Sequence, residues 1–351
     1  MFEETHAVDP SVVDIDRVRR WMAETGLGDG PVEDVSVLGG GTQNVLLRLR
    51  QNDREYVLRR PPPHKRSDSD RTIEREASVL GALAGSAVPH PGLIAVCPDL
   101  SVIGAAFYLM EPAGGRNPCG PLPPGLADDP GWQRMLGLSI VDGLLALSEV
   151  RPAEVGLADL GKPRGWLERQ VSRWRGQLVG YGRSERYEPG SLGPVGDIAN
   201  WLDTHRPADH GAGLIHGDFH LANMLVADDG TLAAIVDWEL STQGDPLLDL
   251  GHLLATWPGE DNPAGVDLAV PLPWLPTVDE LLAHYLRRTS RNPADVHWFR
   301  VLACYRLAII LEGTYVRSMS GQAARDTGIA AHERAKALLG AARRLVTEEG
   351  T

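Results

Sequence analysis

The stretch Leu214-Ile215-His216-Gly217-Asp218-Phe219-His220-Leu221-Ala222-Asn223-Met224-Leu225-Val226 decides the fold. An apolar pair leads in and an apolar run leads out, which makes the polar centre a loop held between two buried segments. Within it the carboxylate of Asp218 precedes the carboxamide of Asn223 by five positions. Kinases use that interval to separate the group that receives or orients the acceptor hydroxyl from a magnesium ligand. One oxygen ligand must face the attacking hydroxyl and the other the metal on the nucleotide, so the chain has to turn between them. Residues 232–237, Leu-Ala-Ala-Ile-Val-Asp, then read as a strand that delivers a second carboxylate, Asp237, at its end. A magnesium ion held by Asn223 and Asp237 would bridge phosphate oxygens and absorb developing charge.

Upstream, residues 35–38, 45–49 and 55–59 are short β-branched or bulky runs, the signature of a strand meander. Gly39-Gly40-Gly41-Thr42-Gln43-Asn44 separates the first two. Glycines let backbone N–H groups approach anionic oxygens, so the segment reads as a phosphate cradle or as a bare tight turn. No Gly-Lys-Ser/Thr is present and a strand follows rather than a helix, which excludes a P-loop and a dinucleotide fingerprint. The third strand ends in Arg59, at the position where kinases place a phosphate-holding lysine, and Pro61-Pro62-Pro63 stops it. Ile73, Ala77, Leu80 and Leu83 have helical spacing, which puts Glu76 where it can pair with Arg59. The competing reading is a solvated basic rim of Arg59, Arg60, Lys65 and Arg66.

Before this meander, Asp9-Pro10-Ser11 opens an amphipathic helix through Ile15, Val18, Trp21 and Met22 that stops at Gly26. After it, the apolar run 102–110 ends in Glu111-Pro112-Ala113-Gly114-Gly115, and composition switches from strand-rich to helix-rich. The expected organisation is residues 1–111 as one lobe and 112–351 as the other. The second holds a helix over 132–148, a Trp- and Arg-rich stretch over 165–178, a capping box at Thr277-Val278-Asp279-Glu280, and a helix from Asn292-Pro293 whose section 304–311 is mostly apolar and buried.

Across 351 residues, 47 acidic and 34 basic side chains leave a net charge of −13, which argues against nucleic acid or an anionic membrane as partner. From Ser241 onward 13 acids face 11 bases, so the C-terminal third is nearly neutral and the net charge does not support a cationic substrate. Three cysteines without a CxxC pair suggest neither a disulfide framework nor a zinc knuckle, and no apolar run reaches the ~18 residues needed to span a bilayer. The expectation is a cytoplasmic protein with no membrane partner; the sequence carries no signal for oligomeric state.

His216-Gly217-Asp218 with Asn223, Val236-Asp237-Trp238-Glu239 and Gly244-Asp245-Pro246-Leu247-Leu248-Asp249-Leu250 together resemble the aminoglycoside phosphotransferase family. Residues 39–44, 56–62, 102–104, 107–111 and 238–242 look most similar to the kinase-like domain that precedes the dehydrogenase in some multidomain acyl-CoA dehydrogenases. The resemblance implies an α+β, bilobal protein-kinase-like fold with a small β-rich N-lobe and a larger helical C-lobe. It implies transfer of the γ-phosphoryl group of ATP, or GTP, with Mg2+, to a hydroxyl of a small molecule: a hydroxyacyl-CoA, a hydroxy acid, an amino alcohol or an aminoglycoside. Asp218 is then the catalytic base or hydroxyl-orienting group, and Asn223 and Asp237 the metal ligands. Gly40, Gly41 and Thr42 lie over the phosphates, Arg59 contacts them, Glu76 fixes Arg59, and backbone groups near Met110 and Glu111 receive the base. Trp238-Glu239, where protein kinases have Phe-Gly, implies that no switchable activation segment exists.

Other residues read as structure. His216 is expected to pack and hydrogen-bond the loop, Asp245 and Asp249 to act as caps and loop anchors, and Trp166, Trp174 and Tyr181 to fill the core rather than a substrate wall. Two alternatives stay open: a metal-dependent hydrolase with His216, Asp218 and His220 as ligands, completed by His252 or Asp237, and a catalytically silent nucleotide-binding pseudokinase.

Overall fold

A computed structural model describes residues 12–38, 44–65, 67–259 and 262–348. The glycine segment with Gly40, Gly41 and Thr42 lies outside the described residues, as do the first eleven positions.

The N-terminal part runs α1 (Ile15–Glu24), β1 (Val32–Val37), β2 (Val45–Gln51), β3 (Arg54–Arg60), α2 (Ser69–Ala82), β4 (Leu93–Cys97), α3 (Leu100–Ile103) and β5 (Phe107–Met110). Its strands form a five-stranded sheet in the order β1-β2-β3-β5-β4. Helix α1 starts at Ile15, capped by the Asp14 side chain on the Arg17 amide, and buries Val18 and Met22. The run 102–110 is not continuous: Gly104, at φ +77°, ends α3 in a left-handed cap before β5 begins. Strand β4 carried no signal strong enough to predict it, being five residues long and only half buried over four of them.

The C-terminal part is mostly helical: α4 (Pro130–Glu149), α5 (Trp166–Tyr181), α6 (Gly196–Thr204), α7 (Leu247–Thr256), α8 (Val278–Leu286), α9 (Pro293–Met319) and α10 (Arg325–Glu348). Interleaved are two small antiparallel ladders, β6 (Gly213–Ile215) with β9 (Thr242–Gly244) and β7 (Met224–Val226) with β8 (Leu232–Ile235). The capping box forms in full, with Thr277 and Glu280 each taking the other's amide. The architecture is α+β, with the five-stranded sheet in one part and most of the helices in the other.

The two faces of the sheet belong to different cores. Leu47, Leu49, Tyr56, Leu58, Phe107 and Leu109 pack with α1 in a small cluster. Val57, Tyr108 and Met110 face α2, and through Ile73, Ala77 and Leu80 they join the large cluster that runs through the helical part.

Candidate active site

The ladders hold the polar loop at both ends. β6 delivers it, β7 leaves it, and the register Met224↔Ile235 sets Asn223 opposite Val236, whose amide donates to the Asn223 carbonyl at 2.9 Å. Asp237 follows directly, so Asn223 and Asp237 share one end of the β7–β8 ladder. Asp237 is held at φ +68°, a conformation unusual for a side-chain-bearing residue.

Before Asp218 the chain turns through Gly217 at φ +82°; a Cβ there would stand 2.5 Å from the Leu240 carbonyl oxygen, so only glycine fits. Asp249, from the first turn of α7, accepts the amides of His216 at 2.6 Å and Gly217 at 2.9 Å. This carboxylate is 1% exposed, and burial pushes its pKa up to about 7 against the pull of those two amides and Arg306. His216 is fully buried; its Nδ1 accepts the Asp218 amide at 3.3 Å, which leaves the proton on Nε2 to be donated to the Val236 carbonyl at 3.0 Å. It is the packed, loop-tying histidine that the sequence suggested, and both ring nitrogens are committed. The ligand set His216, Asp218 and His220 is therefore corrected: among the described residues no group of three or more His, Cys, Asp or Glu is arranged to hold a metal ion.

Asp218 keeps 30% of its side chain exposed. Asn223 Nδ2 donates to its carbonyl at 2.9 Å and to its Oδ2 at 3.2 Å. His220 Nδ1 accepts the Ala222 amide at 3.3 Å, so its proton sits on Nε2, 3.4 Å from Asp218 Oδ2. His252 of α7 brings Nε2 to 3.8 Å from Oδ1. Burial alone would push the Asp218 carboxyl up, but the His220 hydrogen bond and the surrounding histidines outweigh it and hold the group well below the usual carboxylate range. His252, 1% exposed, is lowered to about 3 by burial and is neutral at pH 7.

Arg59 is no surface cation: at 7% exposure it reaches from β3 to Glu76 of α2 (2.9 Å) and to Asp237 (2.6 Å), with Glu239 3.9 Å away. The basic rim is corrected for Arg60 as well, since its guanidinium is buried on the carbonyls of Val12 and Pro61. Burial would lower the pKa of Arg59, but Glu76 and Asp237 raise it overall; burial lifts Glu76 to about 7 despite Arg59. Met110 is paired within the sheet, and the Glu111 amide donates to the Gly92 carbonyl at 2.8 Å. Trp166 and Trp174 are buried, Trp166 stacking on Phe299 at 6.5 Å between ring centroids.

Sequence reasoning passed over Arg306. It lies on α9 at 6% exposure, and its guanidinium donates to the Gly217 carbonyl at 2.6 Å and sits 5.3 Å from the centre of the Trp174 ring. The available signal was the one charged residue within the apolar section 304–311.

The family model for the phosphotransferase enzyme family matches residues 34–299. The chain belongs to that family. Acyl-CoA dehydrogenase family member 10 of Mus musculus is 32% identical over 305 residues, which cover 85% of this chain and 28% of that protein. Family member 11 of Homo sapiens is 31% identical over 287 residues, 80% of this chain and 36% of that one. This member of the phosphotransferase family thus spans about a third of the length of the curated relatives it matches. Among solved structures, a candidate aminoglycoside phosphotransferase from Ralstonia eutropha is 30% identical with TM-score 0.75, covering 95% of this chain and 99% of that one. A complex of aminoglycoside phosphotransferase APH(4)-Ia with AMP-PNP and hygromycin B shares the fold at 16% identity and TM-score 0.61, covering 92% and 97%. The chain has the kinase-like fold of this phosphotransferase family.

Proposed function

We propose that the protein transfers the γ-phosphoryl group of ATP to a hydroxyl of a small molecule, with Asp218 as the group that orients the hydroxyl and takes its proton. The observation that carries this reading is the partly open Asp218 carboxylate, tied to an Asn223 that shares a ladder end with Asp237. The acceptor oxygen bonds to phosphorus as the O–P bond to the leaving nucleoside diphosphate breaks, and its proton passes to Asp218.

The donor set suits a hard divalent cation. Asn223 spends its amide nitrogen on Asp218, which leaves Oδ1 as the ligand atom, and Asp237 supplies carboxylate oxygen. Bound there, Mg2+ would neutralise phosphate charge. Arg59, anchored by Glu76, would give part of its guanidinium to the nucleotide phosphates, beneath a cover formed by Gly40, Gly41 and Thr42; the base would lie by Met110 and Glu111. AMP-PNP and ADP in complexes of the APH(4)-Ia neighbours support a nucleotide in this fold.

The nearly neutral C-terminal third and the acyl-CoA-dehydrogenase relatives favour a neutral or anionic acceptor over a polycationic one. A coupled ADP-release screen with Mg-ATP against hydroxyacyl-CoAs, hydroxy acids, amino alcohols and aminoglycosides tests the reading. Turnover with at least one acceptor class is expected. Failure to bind ATP at millimolar concentration would overturn it.

A further inference from the structure

We infer that Arg306 is a positioning residue for Asp218: from beneath the loop it holds the Gly217 carbonyl and so fixes the peptide from which the Asp218 side chain is presented. This rests on the phosphotransferase reading for its functional consequence, though not for its structural one.

The Gly217 residue is gripped from two sides. Its N–H edge donates to Asp249 of α7 at 2.9 Å, and its carbonyl accepts from Arg306 of α9 at 2.6 Å. The two contacts hold successive peptide groups, the 216–217 unit by its N–H and the 217–218 unit by its C=O, and each is charge-assisted in a site withdrawn from water. Leu240 closes the space where a Cβ would be, so the turn has no room to relax sideways. The Asp218 carboxylate itself is held less closely, with contacts to Asn223, His220 and His252 at 3.2 to 3.8 Å, so the backbone of the loop sets where it points.

The location of Arg306 makes sense only with such a partner. A guanidinium in an apolar helix section loses several kcal/mol of hydration unless its donors find acceptors. Burial lowers its pKa, opposed by Asp218 and Asp249. Trp174 covers the group on another side, and Arg173 of α5 lies 5.0 Å from the centre of that same ring. The cation of α9 is therefore placed between the loop, Trp174 of α5 and Asp249 of α7.

Two substitutions separate this role from general stability. In R306Q the kcat for phosphate release from Mg-ATP, with water as the acceptor, is expected to fall about 100-fold with KM for ATP within threefold of wild type, since ~1 Å of misplacement costs on that order. R306K, whose ammonium reaches the same carbonyl as a single donor, is expected to recover at least tenfold of that loss. Hydrogen exchange of the peptide covering 214–221 reads the loop without reference to activity: about tenfold faster in R306Q, with the α9 core unchanged. Equal exchange in R306Q and wild type, or a loss of rate carried by KM, overturns the assignment. If R306Q does not fold, R306K decides: kcat reduced three- to tenfold with faster exchange of 214–221 supports the role, and wild-type values of both refute it. Wild-type protein that neither binds nor hydrolyses ATP would sink the phosphotransferase reading, while the exchange arm would still judge Arg306.

Discussion

Gly217→Ala is the sharpest test of how the loop is built, because a second glycine provides its control. Gly217 and Gly211 have nearly the same backbone conformation, φ +82° and φ +89°. A Cβ at Gly211 meets nothing within 4 Å, whereas at Gly217 it meets the Leu240 carbonyl oxygen at 2.5 Å and its carbon at 3.1 Å, both backbone atoms. The left-handed conformation costs alanine about 1–2 kcal/mol at either site. The contact adds roughly 1–3 kcal/mol at Gly217 alone, because main chain cannot rotate away as a flexible side chain would. G211A should therefore lose about 1–2 kcal/mol in urea denaturation and G217A about 2–5 kcal/mol. Relief of the clash at Gly217 would come from shifting the loop, which lengthens the bonds to Asp249 and Arg306 and moves Asp218. Phosphoryl transfer should fall about 100-fold in G217A and stay within twofold of wild type in G211A. Equal stability losses in the two variants, or wild-type turnover in G217A, would show that the close approach of Leu240 does not constrain this loop.

Three further outcomes are expected. Asp218→Asn should leave ATP affinity within threefold and reduce transfer by 100- to 10,000-fold in the ADP-release assay; unchanged rates would instead suit a silent nucleotide-binding module. Glu76→Ala should destabilise by about 3–5 kcal/mol in chemical denaturation, because it strips a buried partner from Arg59, and a loss below 1 kcal/mol would mean that Asp237 alone suffices. His252 stays neutral in the folded protein down to about pH 3 while the unfolded chain takes up a proton near pH 6.5, so this residue withdraws stability as pH falls between those values. Asp249 and Glu76 act in the opposite sense, since their raised pKa values let the folded state keep protons that the unfolded chain releases. The difference between wild type and His252→Gln isolates the histidine: it should change by up to ~1.4 kcal/mol per pH unit from pH 6.5 downward, and a flat difference would remove the assignment.

The Asp218 loop was legible because its pattern is local: a carboxylate, a carboxamide and two flanking apolar runs lie within thirteen consecutive residues. Arg59 with Glu76 was also readable, since strand end and helix face each leave a pattern and only one pairing across them places both charges out of water. Arg306 was not, because its approach to the Gly217 carbonyl depends on how α9 packs beneath the loop, which no spacing encodes, and His252 was read only as a further member of a ligand set that the described residues do not form. Buried polar residues on apolar helices are where such long-range geometry leaves a trace. The run 102–110 misled in a different way: its hydropathy is continuous, but one glycine in a left-handed cap divides it into helix and strand. Strand β4, half exposed and short, is defined by its pairing with β5 rather than by its own residues.

The large hydrophobic cluster takes in Val57, Tyr108 and Met110 of the sheet, Ile73 and Leu80 of α2, and Leu214, Phe219 and Trp238 around the loop. A knife drawn through the chain at Glu111 would therefore pass through continuous apolar packing, not along a wetted seam. Half-molecules expressed on either side of that cut should be sticky and unfolded when alone and should recover structure only when mixed. Heat should melt the parent chain in a single transition, and any movement of the sheet against the helical part must be a tilt small enough to leave that shared interior dry.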